Sequence, residues 1–166
     1  MPQPTGQIAP REIALPVFAD YFQFYVQDEI ANEDFGALWS EEAVDRLLAV
    51  GQFSVGIGTV RNADVPVSVS IHEHAPPEDF GEWEMVNECS ILCRSGRIVI
   101  AGCTDYLPEA QRMSLKPGSY RVRVCYAGLD HVSADGMDGD DFYRVQIWPQ
   151  EPGPLLVVKA KTAAGS

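Results

Sequence analysis

This 166-residue sequence predicts a mainly β chain, an antiparallel β-sandwich or partly closed barrel with one short α-helix near residues 41–50. Three observations carry that prediction. Apolar residues alternate with polar ones in segment after segment, the signature of strands buried on one face. Gly, Pro and Asp clusters punctuate those segments at intervals of roughly ten to fifteen residues. A single stretch carries both a helix start and a helix stop. The length suits one domain, and a content of 46% hydrophobic and 22% charged residues is that of a globular rather than a disordered chain.

In chain order, residues 1–17 hold four prolines and read as an N-terminal arm, residues 18–160 as the β-rich domain, and residues 161–166 as a flexible Lys/Ala/Gly/Ser tail. Tyr21 to Val26 is the first strand, with Phe22, Phe24 and Val26 on one face. Ser40 is a good helix N-cap, Glu41 and Glu42 occupy the first turn where the macrodipole favours anions, and Gly51 is the stop. Val44, Leu47 and Leu48 form that helix's apolar stripe, with Trp39 placed to pack on Val44. Strands follow at Phe53–Ile57 and Val65–Ile71, then at 83–93 and 97–103 around Arg94-Ser95-Gly96, which reads as a hairpin turn. Val122, Val124 and Tyr126 alternate with Arg121, Arg123 and Cys125, and Tyr143, Val145 and Ile147 repeat the pattern before a last apolar run at 155–158.

The net charge of −12 is unevenly placed: residues 1–84 hold 15 acidic and 3 basic side chains, residues 85–166 hold 9 of each. Direct binding to nucleic acid or anionic lipid needs basic patches and is therefore disfavoured, whereas a basic protein partner is favoured. The competing reading is a field that only keeps the protein soluble. No export signal opens the chain and no run reaches a membrane span, so a cytoplasmic setting is expected. Four irregularly spaced cysteines fit free, mostly buried thiols. Cys89 and Cys93 lie about 13 Å apart along one strand and cannot bridge, which leaves Cys103 with Cys125 as the pair open to contact.

His72-Glu73-His74 with Glu78 has the spacing of a cupin-like metal motif, His131 being the remaining histidine, and defines an alternative reading as a metal-dependent enzyme. Pro76 and Pro77 interrupt that segment, and the glycines such a motif needs are misplaced. The 130–141 run holds five aspartates and two glycines, a loop that could take calcium as a stabilised binding module or serve acidic recognition. It lacks the glutamate of a helix-loop-helix calcium site, and Asp-Gly pairs are also ordinary turn chemistry. No nucleophile elbow, C-x-x-C pair or phosphate-binding loop is present, so no catalytic residue, metal ligand or cofactor is assigned.

The aromatic strand Asp20-Tyr21-Phe22-Gln23-Phe24, the helix start Leu38-Trp39-Ser40-Glu41-Glu42-Ala43, the Arg61-Asn62 pair and Leu115-Lys116-Pro117-Gly118-Ser119-Tyr120 resemble the competence protein J family over residues 18–150. The aspartate-rich run and the extended termini depart from that pattern. The resemblance implies a small β-rich protein that binds and silences a DNA-uptake nuclease, much as bacterial immunity proteins do. The expectation is thus a non-enzymatic inhibitor or immunity-type protein that engages a basic partner, a nuclease, through an acidic surface. Charge clustering alone nominates the partner-binding residues: Asp130, Asp135, Asp138, Asp140 and Asp141 with Glu78, Asp79 and Glu82.

Overall fold

The computed structural model describes residues 11–162 as two packed antiparallel-type sheets. The larger sheet has the order β1 (Arg11–Phe18), β5 (Asp64–Ile71), β10 (Phe142–Pro149), β9 (Gly118–Ala127), β6 (Met85–Cys93) and β11 (Leu156–Lys159). The smaller has the order β3 (Leu48–Val50), β4 (Ser54–Gly58), β2 (Gln23–Asp28), β7 (Arg97–Gly102) and β8 (Gln111–Ser114). All neighbours pair antiparallel except β5 and β10, which run parallel with Tyr143 opposite Val67. The sandwich prediction therefore holds, and the barrel does not close.

The alternation read from the sequence is what fills the space between the sheets. Val122, Val124 and Tyr126 of β9 and Tyr143, Val145 and Ile147 of β10 face inward and meet Phe24, Val26, Val55, Ile57, Ile98 and Ile100 of the smaller sheet. Each such side chain contributes about 1.5–3 kcal/mol on leaving water, so this layer is the main source of stability. Aromatic edges meet inside it: the rings of Phe24 and Tyr126 each lie 6.0 Å from that of Tyr143.

Four expectations need correction. Residues 11–17 are not an arm, because β1 pairs with β5 over its whole length and Val17 is buried; residues 1–10 lie outside the described residues, as do 163–166 of the tail. The helix is shorter than 41–50: α2 (Glu41–Arg46) does start at Ser40, whose Oγ accepts from the Ala43 N–H, but it stops at Leu47 in a left-handed conformation. Leu48–Val50 then pairs with β4, Val44 is exposed, and a four-residue helix α1 (Phe35–Leu38) precedes. Trp39 packs elsewhere, donating from Nε1 to the Tyr25 hydroxyl over the outer face of the smaller sheet. Arg94-Ser95-Gly96 is not a hairpin turn either, since β6 and β7 belong to different sheets. That crossing is organised by Asp28, buried at the end of β2, which accepts from the Arg94 and Ser95 N–H groups at 2.8 and 3.2 Å.

Candidate functional site

Strand register brings the segments 19–22, 59–63, 80–84, 103–109 and 128–141 to one end of the sandwich. Phe18 at the end of β1 stands opposite Asp64, Gln23 opposite Gly58, Phe24 opposite Gly102, and Met85 opposite Tyr126. The 128–141 segment is an ordered loop. Val132 bridges to Gly139, the Asp140 N–H donates to the His131 carbonyl at 2.9 Å, and the Ser133 N–H to that of Asp138 at 2.7 Å. Beneath it runs a buried ion pair: Arg61 Nε donates to Asp141 Oδ1 at 2.6 Å, and Arg61 Nη1 reaches the Met137 carbonyl at 3.2 Å. The Tyr143 hydroxyl donates to the other oxygen of Asp141 at 2.7 Å, so both oxygens are occupied in the dry interior.

The eight acidic residues nominated from charge therefore divide. Asp141 is 0% exposed and cannot touch a partner; it anchors the loop. Asp138 and Asp140 are exposed, with no side-chain hydrogen bond among the described residues. Asp135 is exposed and turns its carboxylate onto Ser133 Oγ and the Met137 N–H, and the Ser133 bond above all lowers its pKa. Asp130 pairs with Lys161 at 3.1 Å. Asp79 is clamped by Arg144 through two bonds of 2.6 and 2.9 Å, which holds its carboxyl below the usual carboxylate range. Glu78 and Glu82 are exposed.

Residues 72–84 lie as a strap across the outer face of the larger sheet, a feature the alternation did not show. Arg123 donates to the Pro76 carbonyl at 3.1 Å and lies over the rings of Phe80 and Trp148, while Arg144 lies over Trp83 at 4.5 Å. Arg121 and Arg123 both engage Glu88, and Arg121 also reaches the Pro154 carbonyl at 2.7 Å, so two outward-facing arginines are buried. Glu84 accepts from the Leu129 N–H at 3.1 Å and joins the strap to the acidic loop. The acidic group at 28–34 stays apart: Asp28 caps the 94–95 turn, Glu29 pairs with Arg97 and Arg112, and Glu33 accepts from the 52 and 53 N–H groups.

The three histidines do not gather. His72 and His74 follow β5 at the opposite end of the sandwich from His131, and His72 Nε2 is paired with Ser70 Oγ at 2.8 Å. Among the described residues no group of three or more His, Cys, Asp or Glu side chains is arranged to hold a metal ion. His72 and His74 line a depression of about 500 Å³ together with Arg11, Lys116 and Tyr120. All four cysteines are free. Burial pushes the Cys89 thiol up to about 12, Cys125 lies against Arg144, and Cys103 against the Asp20 carbonyl, so Cys103 and Cys125 do not meet. No helix among the described residues is long and apolar enough to cross a membrane.

The same end of the molecule exposes aromatic side chains that sequence reasoning placed in a strand. Tyr21 and Phe22 lie in a 3-10 turn before β2, both with left-handed backbones (φ 58 and 60°), and are 69% and 52% exposed. The turn is held from behind: the Tyr21 N–H donates to Asn62 Oδ1 at 2.7 Å, and Thr104 Oγ1 to Asp20 Oδ2 at 3.0 Å.

No family profile matches this sequence, and no curated protein matches it along the chain. Two solved structures share its fold. One is ComJ from Bacillus subtilis, described as an inhibitor of the DNA degrading activity of NucA, with a TM-score of 0.59 and 15% identity over 86% of this chain and 96% of that one. The other is the product of crocagin biosynthetic gene J, with a TM-score of 0.56 and 20% identity over 87% of this chain and 100% of that one. At these identities the likeness is one of fold.

Proposed function

We propose that this chain is a non-enzymatic inhibitor or immunity-type protein that binds a basic protein, a nuclease, through the acidic end of its sandwich. The observation that carries the reading is the 128–141 loop: it is locked from beneath by Arg61 and Asp141 and from the side by Glu84, which accepts from the Leu129 N–H, while Asp138 and Asp140 stand in solvent. Carboxylates on a rigid loop can occupy a cationic cleft at the places phosphates would take, and they lose little entropy on doing so. A fold shared with a nuclease inhibitor supports the reading. So does the charge, because a field of −12 accelerates encounter with a cationic partner and is screened beyond about 8–10 Å at moderate salt. A reduced, cytoplasmic setting belongs to the same proposal, in keeping with the free thiols.

The test is a tagged pull-down from the native host at low salt, eluted at high salt and assayed for nuclease activity that the added protein suppresses again. The proposal expects a recovered, re-inhibited nuclease. An eluate with no nuclease activity, or with activity the protein leaves untouched, counts against it.

A further inference from the structure

Beside the acidic loop, two Asp-Tyr dipeptides meet. Asp20-Tyr21 and Asp105-Tyr106 come from different strand ends, and the bond from Thr104 to Asp20 joins them. Tyr21, Phe22 and Tyr106 are all exposed. Next to them lies a depression of about 280 Å³ lined by Asp105, Tyr106 and Glu109 against Leu15 and Val17 of β1. The basic side chain in the adjoining 59–63 segment, Arg61, is already spent on Asp141.

Aromatic faces flanked by carboxylates are the chemistry that holds a guanidinium or ammonium group: the carboxylate takes the charged edge and the ring takes the face. This protein uses that arrangement internally, where Arg144 lies over Trp83 while Asp79 grips its nitrogens. At the exposed end the same components stand without a cation among the described residues. The backbone adds a second argument. A left-handed conformation is costly for a large aromatic residue and mild for Asn or Gly, so two consecutive aromatics there oppose stability. They are held outward by Asn62 and by the Thr59 N–H, which donates to the Phe22 carbonyl at 2.9 Å.

Resting on the reading that the partner is a basic protein, we infer that Tyr21, Phe22 and Tyr106, with Asp20, Asp105 and Glu109, form a surface that seats arginine or lysine side chains of that partner. The acidic loop supplies long-range attraction, and the aromatic surface supplies the contacts that slow dissociation. Tyr is among the residues most often found as such contact centres, which agrees with Tyr21 and Tyr106.

The test uses the full chain and an octa-arginine peptide as probe, followed by amide and aromatic NMR shifts at low salt. Shifts are expected at residues 18–22 and 102–109. The double variant Tyr21→Asn with Phe22→Asn keeps the left-handed backbone comfortable and should retain or raise the melting temperature while weakening peptide binding by about tenfold. Tyr106→Ala, in ordinary backbone geometry, should weaken it too. Shifts confined to 130–141, with both sets of variants binding as the parent does, would overturn the inference and leave the acidic-loop reading standing. No shift anywhere at low salt would overturn both.

Discussion

Asp141 and the aspartates that precede it show how much one side chain's surroundings decide. Four of the aspartates in the 130–141 run are at the surface, and the fifth is sealed against Arg61 and Tyr143. Removing one member of a buried pair strands the other charge, so Arg61→Ala should cost about 3–5 kcal/mol in urea unfolding. Asp138→Asn, in solvent, should stay within about 0.5 kcal/mol. Asp28 makes a similar point at the opposite end. Burial alone would raise its pKa, but bonds from the Ser95 side chain and the 94 and 95 N–H groups bring it below the ordinary 3.8. Its contribution is therefore complete above that value and fades as pH falls through the lower folded-state pKa. Asp28→Asn should lower stability by about 2 kcal/mol near neutral pH, as charged hydrogen bonds are worth 1.5–3, and the gap to the parent should narrow in acid. Neither role was legible in the sequence, because both residues sit in acidic runs that composition cannot divide into buried and exposed members.

Among the elements, strands were the most legible, since a period of two needs only the residue types on one face. The helix was legible at its start and not at its end: Ser40 and two glutamates mark the first turn, whereas Leu47 takes a left-handed stop without a glycine to announce it. The turn at 20–22 was hidden for a similar reason, aromatic residues there mimicking the alternation of a strand. The acidic loop depends on its neck. Gly128 has φ +67° and a β-carbon there would lie 2.2 Å from the Asp140 carbonyl oxygen, so Gly128→Ala must move backbone. It should destabilise by about 1–3 kcal/mol and raise amide exchange throughout 128–141, while exchange in the β6–β9 ladder follows only the global loss. At the turn the opposite sign is expected: Tyr21→Asn should stabilise by about 1 kcal/mol in thermal unfolding, the relief of a left-handed aromatic.

At the scale of the whole molecule, a two-sheet sandwich was legible because inward-facing Val, Ile and aromatic residues recur in every long strand. Its outer cover was not. Arg121, Arg123 and Arg144 alternate with apolar residues just as solvated side chains would, and only the register beside Glu88 and the strap at 72–84 shows them enclosed. Asp79 of the strap and Glu88 of β6 are paired with arginines, so the charge left for a partner is narrower than the composition suggests. The most direct test of this account is the association rate of the recovered nuclease with the parent and with the variant carrying Asp135, Asp138 and Asp140 as Asn, measured across a salt series. The account predicts association slowed by about tenfold at low salt and a flatter salt dependence, with the melting temperature kept. Equal rates and equal salt slopes for the two proteins would contradict it.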